Sequence, residues 1–201
     1  MSENILVAFL TGVLGPTLGI GIKYYLDKRK QQTKDPIKET LEIGSLVSTK
    51  LEHIKEEYHA DRIYVAQFHN GGHFYPTGKS IAKFSIIYES VQPNVSSVQA
   101  NFQNIPVNLF SKSFNRLLDH DVIAISDFRD EQIATYGLKY IAEETGCRSA
   151  YLFAIKSIDE KFIGILALEY TTKVRLSDEK INDLAVQASS IGGVLMTHLN
   201  K

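Results

Sequence analysis

The stretch Arg148 to Tyr170, RSAYLFAIKSIDEKFIGILALEY, constrains this chain more than any other. Tyr151, Phe153 and Ile155 fall on one side of its first apolar run, with Leu152 and Ala154 on the other. In the second run Ile163, Ile165, Ala167 and Glu169 alternate with Phe162, Gly164, Leu166, Leu168 and Tyr170. Apolar residues on both sides predict two strands covered on both faces rather than wetted on one. Ser157 to Lys161 is long enough for a hairpin connection, although it lacks an Asn-Gly signal. A central antiparallel pair with helical sequence around it predicts a small α+β domain.

Other segments supply that helical and strand context. In Ile37 to Tyr58, residues Thr40, Gly44, Val47, Leu51, Ile54 and Tyr58 recur at intervals of four and three, one seam of a helix. Pro36 suits a first helical turn with Asp35 as its cap. Strands are expected over residues 61–68 and 83–91, joined by a turn-rich connection that opens with His69-Asn70-Gly71-Gly72-His73. Asn94 to Asn108 is irregular but tethered by Phe102, Ile105 and Val107. Leu109 to Leu118 reads as a helix, Val122 to Ile125 as a strand, and Tyr136 to Glu144 as a helix stopped by Gly146. A last helix starts at Ser177 and carries Ile181, Leu184, Ala188, Ile191 and Leu195 as its apolar stripe.

The amino terminus differs in kind. Ile5 to Ile22 is 18 residues without a charged side chain, a length at the lower end of what a membrane-crossing helix needs. Lys23, Lys28, Arg29, Lys30 and Lys34 follow it, and Tyr24 and Tyr25 sit where interfacial aromatics would. The positive-inside rule then predicts a single-pass anchor over residues 1–26 with the rest of the chain cytoplasmic. Residues 27–36 read as a linker and 37–201 as one domain. Ala8, Gly12, Gly15 and Gly19 include spacings of four that permit close helix contact. With the seam over residues 37–58, this predicts self-association or a membrane-protein partner.

Charge and cysteine content limit the function classes. Lys plus Arg is 22 against 23 for Asp plus Glu, so no basic field for nucleic acid is expected. The single Cys147 excludes an internal disulfide and a cysteine-rich zinc module. His69 and His73 supply only two local metal ligands. Ser80, Ser85, His69 and Asp127 carry the right groups for hydrolysis, but no nucleophile motif fixes their geometry. Gly71-Gly72 with Gly78-Lys79-Ser80 lacks the spacing of a phosphate loop. A non-enzymatic module is expected, with its cofactor, if any, unidentified.

The order of these elements, and above all the strand DRIYVAQF, the strand RSAYLFAI and the FIGILALEY ending with its terminal helix, resembles a GAF domain, a PAS-related fold for sensing small ligands. The resemblance covers about residues 37–199. It implies an antiparallel sheet of five or six strands with terminal helices on one face and a small-molecule pocket on the other. The residues expected around that pocket are Phe68, His69, Phe74, Tyr75, Phe84, Ile86, Tyr88, Phe110, Phe114, Asp127, Arg129, Tyr136, Tyr140 and Tyr151. Aromatic walls with a few polar groups suit a planar ligand. The function expected is a membrane-anchored module that binds a small effector or a partner protein and leaves signalling output to another chain. The alternative is a membrane-tethered scaffold whose pocket is only packing.

Overall fold

The computed structural model describes residues 15–32 and 35–199. These divide into two compact units, one up to Glu42 and one from Ile43 onward. The first contains helix α1 (Gly15–Gln32) and the opening of α2 (Pro36–Glu57), where the Asp35 carboxylate accepts the Ile37 N–H at 2.9 Å and so caps an orphan donor.

The expected membrane anchor is overturned. Residues 1–14 lie outside the described residues, and no described helix is long and apolar enough to cross a membrane. In α1 only Gly15 to Ile22 precedes the charges at Lys23, Asp27 and Lys28. Charged side chains along the rest of this described helix do not suit a hydrocarbon core. The single-pass topology, the cytoplasmic side deduced from it and the membrane-protein partner lose their basis with the anchor.

The second unit is a six-stranded antiparallel sheet with helices on both faces. Its strands are β1 (Arg62–His73), β2 (Ser80–Val91), β3 (Ile105–Pro106), β4 (Val122–Ile125), β5 (Ser149–Lys156) and β6 (Phe162–Tyr170), in the spatial order β3-β2-β1-β6-β5-β4. A 3-10 turn over Val107–Phe110 leads into α3 (Ser111–His120); α4 (Lys139–Thr145) precedes β5, and α5 (Asp178–Leu199) closes the chain. The α+β reading and the hairpin of β5 with β6 agree with the sequence. The turn before β2 does not fall where Asn-Gly placed it. β1 runs on through His73, and the register shift between Asn70 and His73 absorbs Gly71 and Gly72 as a bulge, Gly72 having a φ of 76°. The reversal comes at Phe74 to Lys79, closed by the Phe74 N–H to the Lys79 carbonyl at 2.8 Å.

Period-two alternation sorts the sheet's side chains into two cores. On one face Ile63, Val65, Tyr151, Phe153, Ile155, Leu166 and Leu168 pack against Val47, Leu51 and Ile54 of α2 and Leu184, Ala188, Ile191 and Leu195 of α5. The Tyr58 hydroxyl donates to Asp183 at 2.6 Å and the Tyr170 hydroxyl to the Tyr58 carbonyl at 3.1 Å, which ties both helices to the sheet. On the other face Ala66, Phe84, Ile86, Ile123, Ala150, Leu152 and Ile165 meet Phe114 and Leu117 of α3 and Ala142 of α4.

At Gly164 β6 leaves no room for a side chain against β1, since a Cβ there would stand 2.4 Å from the Ala66 carbonyl oxygen. Gly164→Ala therefore forces backbone apart in the central ladder. We expect it to cost about 1–3 kcal/mol, the usual range for overpacking, read as a lower urea midpoint with unchanged slope.

Candidate functional site

A cavity lies between the second face of the sheet and α3, α4 and the loop around Phe102. Its walls are Ala66, Phe84, Ile86, Val98, Phe102, Phe110, Phe114, Leu138, Ile141, Ala150, Leu152 and Ile165, with Tyr64, Ser113, Thr145, Cys147 and Glu169 as its polar members. Small side chains leave the space: Ala66 and Ala150 line it from the sheet and Ala142 from α4. The cavity gives about 60 Å³ to the centres of water molecules. That is above the threshold of about 10–15 Å³ for holding a water and leaves room for a compact ligand.

Aromatic rings close one end. Phe68 meets Phe162 and Phe114 edge-on at 4.7 and 5.3 Å, and Phe84 meets Phe110 and Phe114 at 5.3 and 5.5 Å. These distances and angles suit the ring quadrupoles.

A buried charge cluster closes the other end. Arg62, 2% exposed at the start of β1, ion-pairs with Glu169 on β6 and donates to the Ser96 carbonyl at 2.7 Å and the Thr145 carbonyl at 3.5 Å. Its Nε stands 3.7 Å from Glu89, whose carboxylate also accepts the Val98 and Gln99 N–H groups. The Tyr64 hydroxyl donates to the second Glu169 oxygen at 3.1 Å. Among the described residues Glu169 is thus the one carboxylate that lines the cavity, ion-paired there with Arg62.

Burial raises the Glu169 carboxyl above its ordinary value, against the pull of Arg62 and Tyr64. Asp127 is opposite in sign: hydrogen bonds from Arg148 at 2.5 and 2.9 Å, chiefly, hold its carboxyl well below the usual range. The raised group stabilises the fold below its unfolded pKa, and that contribution fades as pH rises through the folded value. The lowered group stabilises above its unfolded pKa, and that contribution fades as pH falls. Hence Asp127→Asn should flatten the acid limb of a stability–pH curve and Glu169→Gln the limb above the ordinary glutamate value. Urea midpoints across the acid-to-neutral range check both.

Burial, with the Glu169 charge second, pushes the Cys147 thiol far up. The thiol stays protonated at neutral pH and is a poor nucleophile. Iodoacetamide should label Cys147 of the native protein much more slowly than that of the urea-unfolded chain; equal rates would refute the placement.

The residues expected around a pocket are dispersed. Phe84, Ile86, Phe110 and Phe114 line the cavity, and Phe68 packs beside it. His69 pairs through Nε2 with the Ser85 hydroxyl at 2.9 Å, away from the cavity lining. Phe74 and Tyr75 sit in the β1–β2 turn, 52% and 97% exposed. Tyr88 and Tyr151 belong to the face packed by α2 and α5, where the Tyr151 hydroxyl donates to the Val174 carbonyl at 3.0 Å and accepts the Leu176 N–H at 2.9 Å. Asp127 is committed to Arg148 and to the Arg129 N–H at 2.9 Å. The Arg129 and Tyr140 side chains are exposed, and Tyr136 lies under Arg116. Sequence reading missed Arg62, Tyr64 and Glu169; the available signal was a glutamate sharing strand parity with Ile165 and Ala167. Among the described residues no group of three His, Cys, Asp or Glu is placed to hold a metal.

No protein-family profile matches the chain, and no curated protein matches it in sequence. Solved structures match its fold. The phycocyanobilin-bound GAF domain from a cyanobacterial phytochrome superposes with a TM-score of 0.61 at 15% identity, over 88% of this chain and 93% of that one. The PixJ GAF domain of Thermosynechococcus elongatus, in its blue-light absorbing form, gives 0.59 at 16% identity over 78% and 86%. A far-red cyanobacteriochrome photoreceptor gives 0.61 at 15% identity over 90% and 98%. The fold is that of GAF domains.

Proposed function

We propose that the unit from Ile43 onward is a regulatory ligand-binding module, and that its effector is a small, mostly apolar molecule with one hydrogen-bond donor. The observation that carries this reading is the cavity itself: apolar on nearly every side, with a single carboxylate, Glu169, at one end. Buried polar groups in an apolar site select orientation, because an unmatched partner leaves them unpaired. A hydroxyl or amine turned toward Glu169 meets that requirement, and its apolar body lies between Phe84, Ile86, Leu152 and Ile165. One neighbour of this fold is phycocyanobilin-bound, but at 15% identity the shared fold does not carry that ligand over to this chain.

Small aromatic probes test the reading directly. Phenol and indole, titrated into the full chain and followed by NMR of alanine methyl groups, should bind saturably. Ala150→Leu puts three further carbons into the cavity and should abolish binding while the fold persists. Absence of binding to the wild type, or equal binding to Ala150→Leu, would contradict it. A second reading, an interaction module whose cavity is only packing, draws on the tight edge-to-face contacts of Phe68, Phe84 and Phe114; the same titration separates the two.

A further inference from the structure

We infer that the free edge of β4 takes up an extended segment of a partner protein, aligned as a seventh strand and anchored by an acidic side chain on Arg116. β4 ends the sheet, with β5 as its only neighbour among the described residues. The Ala154 N–H donates to the Asp121 carbonyl at 2.8 Å, and the register continues Val122↔Phe153 to Ile125↔Ala150. In an antiparallel ladder, opposed residues alternate between bonded and non-bonded pairs. Ile123 and Ile125 therefore bond to β5, and the N–H and C=O of Val122 and Ala124 point outward. Neither has a backbone partner among the described residues. Outward strand groups of this kind are what β-strand addition uses.

A groove of about 420 Å³ runs along that edge, lined by Arg116, His120, Val122, Ile123, Ala124, Ile133, Ala134 and Tyr136. No Asp or Glu lines it. Arg62 and Arg148 each meet a carboxylate, whereas Arg116 rests on the Tyr136 ring with its guanidinium carbon 5.6 Å from the centroid. Its Nε is the one buried side-chain nitrogen or oxygen that lacks a hydrogen-bond partner among the described residues. A guanidinium oriented by a ring and ion-paired with no carboxylate among the described residues is arranged for an incoming one. Backbone pairing supplies register and the Arg116 contact supplies selection, so the occupant is an extended peptide with apolar alternation and one Asp or Glu.

Panning a displayed library of random short peptides on the immobilised full chain tests this. Selected sequences should share an acidic residue flanked by alternating apolar positions. Replacing that residue by its amide, or Arg116→Gln in the protein, should weaken binding about tenfold. Ala124→Pro removes an outward N–H without touching the ladder to β5, as edge positions permit, and should weaken binding similarly with an unchanged melting temperature. Peptides without an acidic preference, or binding indifferent to both variants, would overturn the inference. So would a concentration-dependent dimer that Ala124→Pro dissolves, which would place a second copy of this chain on the edge.

Discussion

Replacing Arg62 by methionine should lower stability by about 3–5 kcal/mol at neutral pH, the range for removing one partner of a buried ion pair. Arg62 is buried and faces both Glu169 and Glu89, so its loss leaves two carboxylates in a low-dielectric site with no cation between them. It also leaves the Ser96 carbonyl without its donor. In a chain of this size the melting temperature should fall by about 10 °C or more. The deficit should narrow on acidification, because Glu169, already shifted toward its neutral form by burial, then takes up a proton at little cost. A pH-independent deficit would show that Arg62 acts through packing alone.

Phe153→Ala should cost a similar amount, about 3–5 kcal/mol, for a different reason. Phe153 is 1% exposed at the centre of β5, in the core beneath α2 and α5. Truncation leaves a void that strands paired on both sides cannot collapse into. Phe84→Ala, on the cavity face, should cost less, since its surroundings already contain open space; it should also widen the cavity and admit bulkier probes. Urea denaturation of both variants, with the aromatic titration repeated on Phe84→Ala, checks the contrast.

These two residues also show what could be read from the chain alone. Apolar alternation located β5 and β6 and the helices around them, because periodicity is a local property of sequence. It could not say which face of β5 meets α5 and which meets the cavity, since both are apolar. Tyr151 was therefore expected in the pocket and stands on the opposite face. Phe74 and Tyr75 were expected there because they occupy a loop at a strand end, yet the bulge at Gly71 and Gly72 carries that loop beyond the sheet. Arg62 and Glu169 lie 107 positions apart and meet only through the β1–β6 register. No local signal joins them, although a lone glutamate inside an apolar strand was visible. The anchor rested on a run at the lower end of spanning length, of which residues 5–14 lie outside the described residues, and no described helix is long and apolar enough to cross a membrane.

Native mass spectrometry of the full chain, isolated gently from its source, measures the central claim most directly. A reproducible small adduct on the wild-type protein, absent from Ala150→Leu and weakened in Glu169→Gln, is the predicted result. A wild-type protein of bare polypeptide mass, or an adduct carried equally by Ala150→Leu, would contradict the ligand-binding reading.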